Sequence, residues 1–329
     1  IHSRLKEKLN RINNNMSESL SDQIYNAQCF GNIEPIEYAV PYPNTFSLLV
    51  GENIKFANNY LFLDQKINNN DFLTLIYKAC NWLSEKGINF KSRILIENID
   101  FPIAEIIVFA IWATGNSVIL SNTRIKQKEL EKIKPSMIIN NENSPSLEVL
   151  EKYPSNFIPL FRPSLQHEAL VIYKRNTFIR LSHYNLLVNT SGTYKYLDLN
   201  RGSTLKINVP STSTAWIILQ LLLPLYSGTA ITNKDADITI GIENQYHNPD
   251  YIIKLNWNKI SNKKNIIHIL EENTSVLCIG NKPIHMTSLK ISNNYISVNG
   301  HSIMMGYINK KNNDTVFKNN SMIIKNNSK

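Results

Sequence analysis

The sequence predicts an α/β protein, with layered, mostly parallel sheets flanked by helices and a small β module after them. Three observations carry this. From Thr45 onward, short apolar runs rich in β-branched residues alternate with longer segments of helical spacing, the pattern of parallel strands joined by crossover helices. From Cys278 the runs become shorter and are separated by Gly, Pro and Asn, as in hairpins. The 329 residues are 43% apolar and 19% charged, enough to bury one large core or two modest ones.

Taken in order, Ile1 to Asn26 carries Leu5, Leu9, Ile12, Met16, Leu20 and Ile24 at helical spacing. This predicts one or two amphipathic helices, either docked on the body or serving a preceding or partner domain. Gly31 to Asn44, with Pro35, Pro41 and Pro43, reads as a connector. A short helix begins at Phe46-Ser47-Leu48-Leu49, and Tyr60 to Asp64 is a strand. Asp71 is placed to cap a helix through Leu75, Ile76, Ala79 and Leu83 that ends at Gly87. Then come strand Arg93–Ile96, an apolar helix from Pro102 to Ala113 closed by Gly115, and strand Ser117–Leu120. A charged surface helix from Lys126 to Ile133 and strand Met137–Ile139 complete this part.

Ala169 to Tyr173 reads as a buried strand, and Ser182 can cap the helix that follows, its hydroxyl accepting amide hydrogens of the first turn. Between them lies a polar connection, Lys174 to Arg180, without glycine. A strand, a polar loop and a capped helix can hold phosphate, although most such units bind nothing. Beyond it the pattern predicts strand Leu205–Pro210, helix Ile217–Leu225 and strand Thr229–Ile231. Strand Asp237–Glu243, helix Pro249–Ile260 and strand Asn265–Leu270 precede the β module.

The net charge of +9 favours an anionic partner without naming one. The basic residues are scattered, with no aromatic stacking platform among Lys259 to Lys264, which argues against a nucleic-acid groove. Cys29, Cys80 and Cys278 have no metal-ligand spacing and fit packing roles in a reduced, cytoplasmic setting. The most apolar stretch, Ala215 to Tyr226, is too short for a membrane span and contains Gln220 and Pro224. Eleven glycines in 329 residues fall well below the usual ~7%. Nucleotide-binding loops need glycine where backbone approaches phosphate.

Several stretches together resemble the adenylate-forming enzymes: acyl-CoA synthetases, fatty-acyl-AMP ligases and the adenylation domains of peptide synthetases. Ile172-Tyr173 and Ile179 to Leu187, with Ser182-His183 opening a helix, resemble the flanks of the family's phosphate loop. Lys86-Gly87-Ile88, Arg93 to Ile96, the Gly115 turn, Asn122-Thr123-Arg124 and Glu129-Leu130 fall where the family keeps its first α/β subdomain. Asp237 to Glu243 resembles its strand ending in Gly-Gly-Glu, and Met304-Met305-Gly306-Tyr307 its Met-x-Gly-Tyr signature.

The resemblance implies an extension and connector over 1–44 and an adenylation-like large domain over 45–320, subdivided at 45–160, 161–275 and 276–320. A hinge at 321–329 would lead to an absent C-terminal domain. It further implies ATP with Mg²⁺, a fatty or aryl acid as substrate in preference to an amino acid, and the thiol of CoA or a carrier protein as acceptor. The residues so implicated are Tyr173, Lys174, Thr177, Gly241, Ile242 and Glu243 for nucleotide, and Ser213 and Trp216 for the acid. Glu271 and Glu272 are candidate catalytic acids, with Glu271 the metal ligand. Trp216 reads equally as a core aromatic, and the glutamates equally as a solvated pair.

The chain departs from the family pattern at its loops. Asn176-Thr177-Phe178 stands where Pro-Lys-Gly is expected, Glu271-Glu272-Asn273-Thr274 replaces Tyr-Gly-x-Thr-Glu, and Asn319-Asn320-Ser321 replaces Thr-Gly-Asp. Two readings follow. In the first, the loops belong to a longer protein that is an acid–thiol ligase making an acyl-adenylate. In the second, they are deleted from a pseudoenzyme that acts as a binding or scaffold subunit. The first is the expectation taken forward.

Overall fold

The computed structural model describes residues 19–121, 123–243, 248–257, 259–292 and 295–325. The helical positions Leu5 to Met16, Asn122 and the expected hinge beyond Lys325 lie outside the described residues. Helix α1 (Leu20–Gln28) carries a capping box between Ser19 and Asp22 and packs on the small sheet described below, its Gln28 amide donating to the carbonyl of Met304 at 2.9 Å.

In chain order, α2 (Thr45–Phe56), β1 (Tyr60–Phe62), β2 (Ile67–Asn68) and α3 (Asn69–Glu85) precede β3 (Arg93–Glu97). The expected cap of α3 is corrected: the side chain of Asn68, not Asp71, accepts an amide, and the amide it accepts is that of Asp71. Next come α4 (Ile103–Ala113), β4 (Ser117–Ser121), α5 (Gln127–Ile133), β5 (Met137–Asn140) and α6 (Leu147–Leu150). Then follow β6 (Glu168–Lys174), β7 (Thr177–Ser182) and α7 (His183–Tyr194). Ser182 caps α7 as its position predicts, accepting from Asn185 N at 3.1 Å.

A six-stranded sheet has the order β17-β7-β6-β4-β3-β5, where β17 is Gly306–Tyr307. Strands β3 to β6 pair in parallel, while β7 and β17 run antiparallel. Side-chain alternation divides this sheet cleanly. Ile94, Ile96, Val118, Leu120, Leu170 and Ile172 enter the main core, whereas Leu95, Ile119, Val171 and Tyr173 join Ile125 and Ile133 on the other side. Both faces are thus covered, as a parallel sheet requires. The main-core face is closed by α4, which is buried along its length; its Trp112 indole donates to the carbonyl of Ala169 at 2.9 Å.

The second sheet has nine strands, β14-β13-β12-β11-β10-β8-β9-β1-β2. Its remaining members are β8 (Thr204–Asn208), β9 (Ala230–Ile231), β10 (Ile238–Ile242), β11 (Tyr251–Lys254), β12 (Ile266–Ile269), β13 (Val276–Ile279) and β14 (Lys282–Pro283). The helix expected over Pro249–Ile260 is therefore corrected to a strand at Tyr251–Lys254. Asp250 decides the matter: its carboxylate accepts from the amide and hydroxyl of Thr239, at 2.8 and 2.7 Å, and holds the entry to β11 beside β10. The β-branched pair Ile252-Ile253 then extends between β10 and β12.

Between β8 and β9, Trp216–Leu222 is π-helical and leads into α8 (Leu223–Ser227). The amide of Leu223 reaches the carbonyl of Ile218, and Pro224 has no amide with which to continue an α-helical ladder. The single α-helix expected here is thus replaced by a wider turn.

A four-stranded antiparallel sheet, β15-β16-β19-β18, is built from β15 (Thr287–Ile291), β16 (Tyr295–Gly300), β18 (Phe317–Lys318) and β19 (Ser321–Lys325), with α9 (Lys310–Val316) beside it. The hairpin-rich segment expected from Cys278 to Tyr307 is distributed over three sheets, because β13–β14 extend the nine-stranded sheet and β17 completes the six-stranded one. At Gly300 the φ of +142° is open only to glycine, and an added Cβ would lie 2.2 Å from the carbonyl of Met286.

Candidate functional site

The polar connection between β6 and the next helix is a tight hairpin. Strands β6 and β7 pair without interruption from Leu170↔Leu181 to Lys174↔Thr177. The two residues left to turn the chain, Arg175 and Asn176, have φ of +49° and +61°, the signs a type I′ turn requires. The expected loop over Lys174–Arg180 is accordingly corrected to two residues between strands. Tyr173 and Phe178 face each other across the hairpin with ring centroids 4.9 Å apart, and Tyr173 Oη donates to Asn176 Oδ1 at 3.1 Å. The Thr177 hydroxyl accepts from Asn312 at 3.0 Å.

This hairpin end meets the C-terminal ends of the second sheet. Lys174 Nζ is ion-paired with Glu271, which opens the 3₁₀ turn after β12. The neighbouring Glu272 accepts from Tyr307 Oη at 3.2 Å, and its carbonyl accepts from Met304 N at 2.9 Å. Burial and the adjacent Glu271 charge raise the Glu272 carboxyl above its ordinary range, and burial together with Glu272 pushes the Tyr307 phenol up. Strands β10, β11 and β12 lie side by side in parallel, so Gly241, Ile242 and Glu243 end near the same edge. Glu243, however, is ion-paired with Lys254 on β11. Burial and the Lys254 charge hold His268 down to about 4.

The two residues expected at the acid follow β8, whose Asn208 pairs with Gly241. The Ser213 hydroxyl accepts from Trp216 N at 3.2 Å and donates to the Pro210 carbonyl at 2.7 Å, acting as a local turn. Trp216 is 1% exposed, and its indole donates to Glu105 Oε1 at 3.1 Å. Gln220 donates to the same oxygen at 2.8 Å, while Glu105 Oε2 has no partner. Burial pushes the Glu105 carboxyl up to about 7. Glu105 has a signal in the sequence, as the one charge in the apolar run Ile103–Ala113.

A phosphate chain fits this edge poorly. An anion cradle needs several free amides converging on one point, whereas the strand amides up to Lys174 and Thr177 belong to a paired ladder, only Arg175 and Asn176 lie beyond it, and the Lys174 ammonium is neutralised by Glu271. No group of three or more metal-ligating side chains occurs among the described residues, and Glu271, the expected Mg²⁺ ligand, is turned to Lys174. No helix among the described residues is long and apolar enough to cross a membrane.

No protein-family model and no curated protein sequence matches the chain. Solved structures do. O-succinylbenzoate coenzyme A synthetase from Bacillus subtilis superposes with a TM-score of 0.71 at 13% identity, over 85% of this chain and 75% of that one. The N-terminal domain of FACL13 from Mycobacterium tuberculosis gives 0.67 at 12% identity, over 85% and 95% respectively. The A-PCP structure of McyG, complexed with phenylalanyl-adenylate, gives 0.70 at 14% identity, over 87% and 64%. The fold is that of the adenylate-forming enzymes' large N-terminal domain.

Proposed function

We propose that this chain uses the adenylate-forming fold for binding, as a scaffold or partner subunit without acyl-adenylate turnover. The observation that carries this reading is the two-residue turn at Arg175-Asn176. In-line attack of a carboxylate on an α-phosphate depends on donors fixed around the phosphates, and a two-residue turn offers at most two backbone amides where a phosphate loop offers many. The Lys174–Glu271 pair adds to it, because each group neutralises the charge the other would offer to ATP or Mg²⁺. The test is ATP–pyrophosphate exchange with Mg²⁺ and a broad panel of fatty, aryl and amino acids. No exchange is expected; acid-dependent exchange that is lost in Glu271→Gln would overturn the reading.

That outcome would establish the second reading, a ligase that activates a fatty or aryl acid with ATP and passes it to CoA or a carrier-protein thiol. One observation favours it: Lys174, Glu271 and Glu272 meet where β6 and β12 end. The structures the chain resembles include coenzyme A synthetases.

A further inference from the structure

At the opposite end of β6, about 20 Å from the hairpin at ~3.3 Å per residue, a half-open cavity of 420 Å³ is lined by Lys91, Arg93, Lys134, Arg180 and Glu168, among others. Glu168 is the only carboxylate among its described lining residues, and both guanidinium groups converge on it. Arg93 binds it in two-pronged fashion at 2.7 and 2.9 Å, Arg180 Nε donates at 2.7 Å, and Ser117 Oγ donates at 3.0 Å. One carboxylate therefore fixes the orientation of two arginines and offsets only one of them. Lys91 and Lys134 have no carboxylate partner among the described residues; Lys91 Nζ lies 4.7 Å from the ring centre of Phe161.

Lys91 and Lys134 have φ of +61° and +48°, a left-handed conformation that disfavours side chains with a Cβ. Both are tied in place, Lys91 N to the Gly115 carbonyl at 2.9 Å and Lys134 N to the Leu130 carbonyl at 2.8 Å. A glycine would relieve the backbone at either position and would remove the ammonium. Lys134 takes this conformation as the C-cap of α5, a common way for a helix to end, and both lysines present their side chains to one cavity wall.

We propose that this cavity binds a polyphosphate group, held by Lys91, Lys134 and the guanidinium N–H groups of Arg93 and Arg180 that are not turned to Glu168. Guanidinium forks and ammonium groups together suit phosphate oxygens, and the volume exceeds what a single phosphate fills. The site stands apart from the hairpin edge and does not depend on the reading given to that edge.

Calorimetric titration of the full chain with tripolyphosphate at low salt is the test. One-to-one binding is expected, weakening steeply as salt rises. The K91G/K134G double variant is expected to lose about tenfold or more in affinity while its Tm rises, since glycine suits both backbones. A merely structural role would not separate those two readouts. Arg175→Asn, a cation removed from the far edge, is expected to leave affinity unchanged. Absence of binding, equal affinity for inorganic phosphate, unchanged affinity in K91G/K134G, or loss in Arg175→Asn would each overturn the proposal. So would binding to phosphatidic acid vesicles without binding of free tripolyphosphate, which would assign the cavity to a lipid surface.

Discussion

Lys174 and Glu271 join two different sheets through one ion pair: Lys174 ends β6 of the six-stranded sheet, and Glu271 follows β12 of the nine-stranded one. Their side chains are only 17% and 10% exposed, so each leaves the other poorly solvated when it is removed. Lys174→Met is expected to cost roughly 2–3 kcal/mol in urea unfolding. K174M combined with Glu271→Gln is expected to cost less than Lys174→Met alone, because no unpaired charge remains. Equal costs would show that the pair contributes nothing specific.

The hairpin turn gives a prediction of opposite sign. Arg175 and Asn176 both occupy left-handed backbone, and Asn-Gly is the pair that suits a type I′ turn best. R175N combined with N176G is expected to stabilise the protein by about 1 kcal/mol. A loss of stability would mean that the turn is of another type.

Glu105 sets a pH dependence. Its carboxyl is pushed up to about 7 by burial, above the unfolded value near 4.3, so the folded chain holds the proton more tightly. The associated stability is fully present below about pH 4.3 and is lost as pH rises through 7, by roughly 3–4 kcal/mol in all. Glu105→Gln is expected to remove this slope from a series of urea midpoints taken between pH 5 and 8. A slope equal to that of the parent chain would count against it.

Gly300→Ala places a Cβ 2.2 Å from the Met286 carbonyl at a φ of +142°. The strand pair β15–β16 must open or shift, and a loss of ~3 kcal/mol or more is expected. A Tm within a few degrees of the parent would show that this edge yields easily.

Much of the framework is legible because burial writes its apolar runs into the sequence. The short, continuous apolar runs in Arg93–Glu97, Ser117–Ser121 and Glu168–Lys174 place those strands, buried on both faces, and Ser182 marks the start of α7 by its capping chemistry. What escaped was decided by partners distant in sequence. Nothing within Tyr251–Lys254 announces that Asp250 is held by Thr239, so the helix expected over Pro249–Ile260 gives way to a strand. The site fared worse for a similar reason. Lys174 and Glu271 were singled out separately, but their pairing joins residues 97 positions apart, and Trp216 turned out to face a buried carboxylate.

The two-residue connection between β6 and β7 also bears on how the chain folds. It makes the middle of the six-stranded sheet a local structure, one that can form on the order of 1–10 μs, whereas the parallel neighbours β3, β4 and β5 must close much longer loops first. The hairpin is therefore the natural template on which the rest of that sheet assembles, and changes at Arg175-Asn176 should act chiefly on the refolding rate.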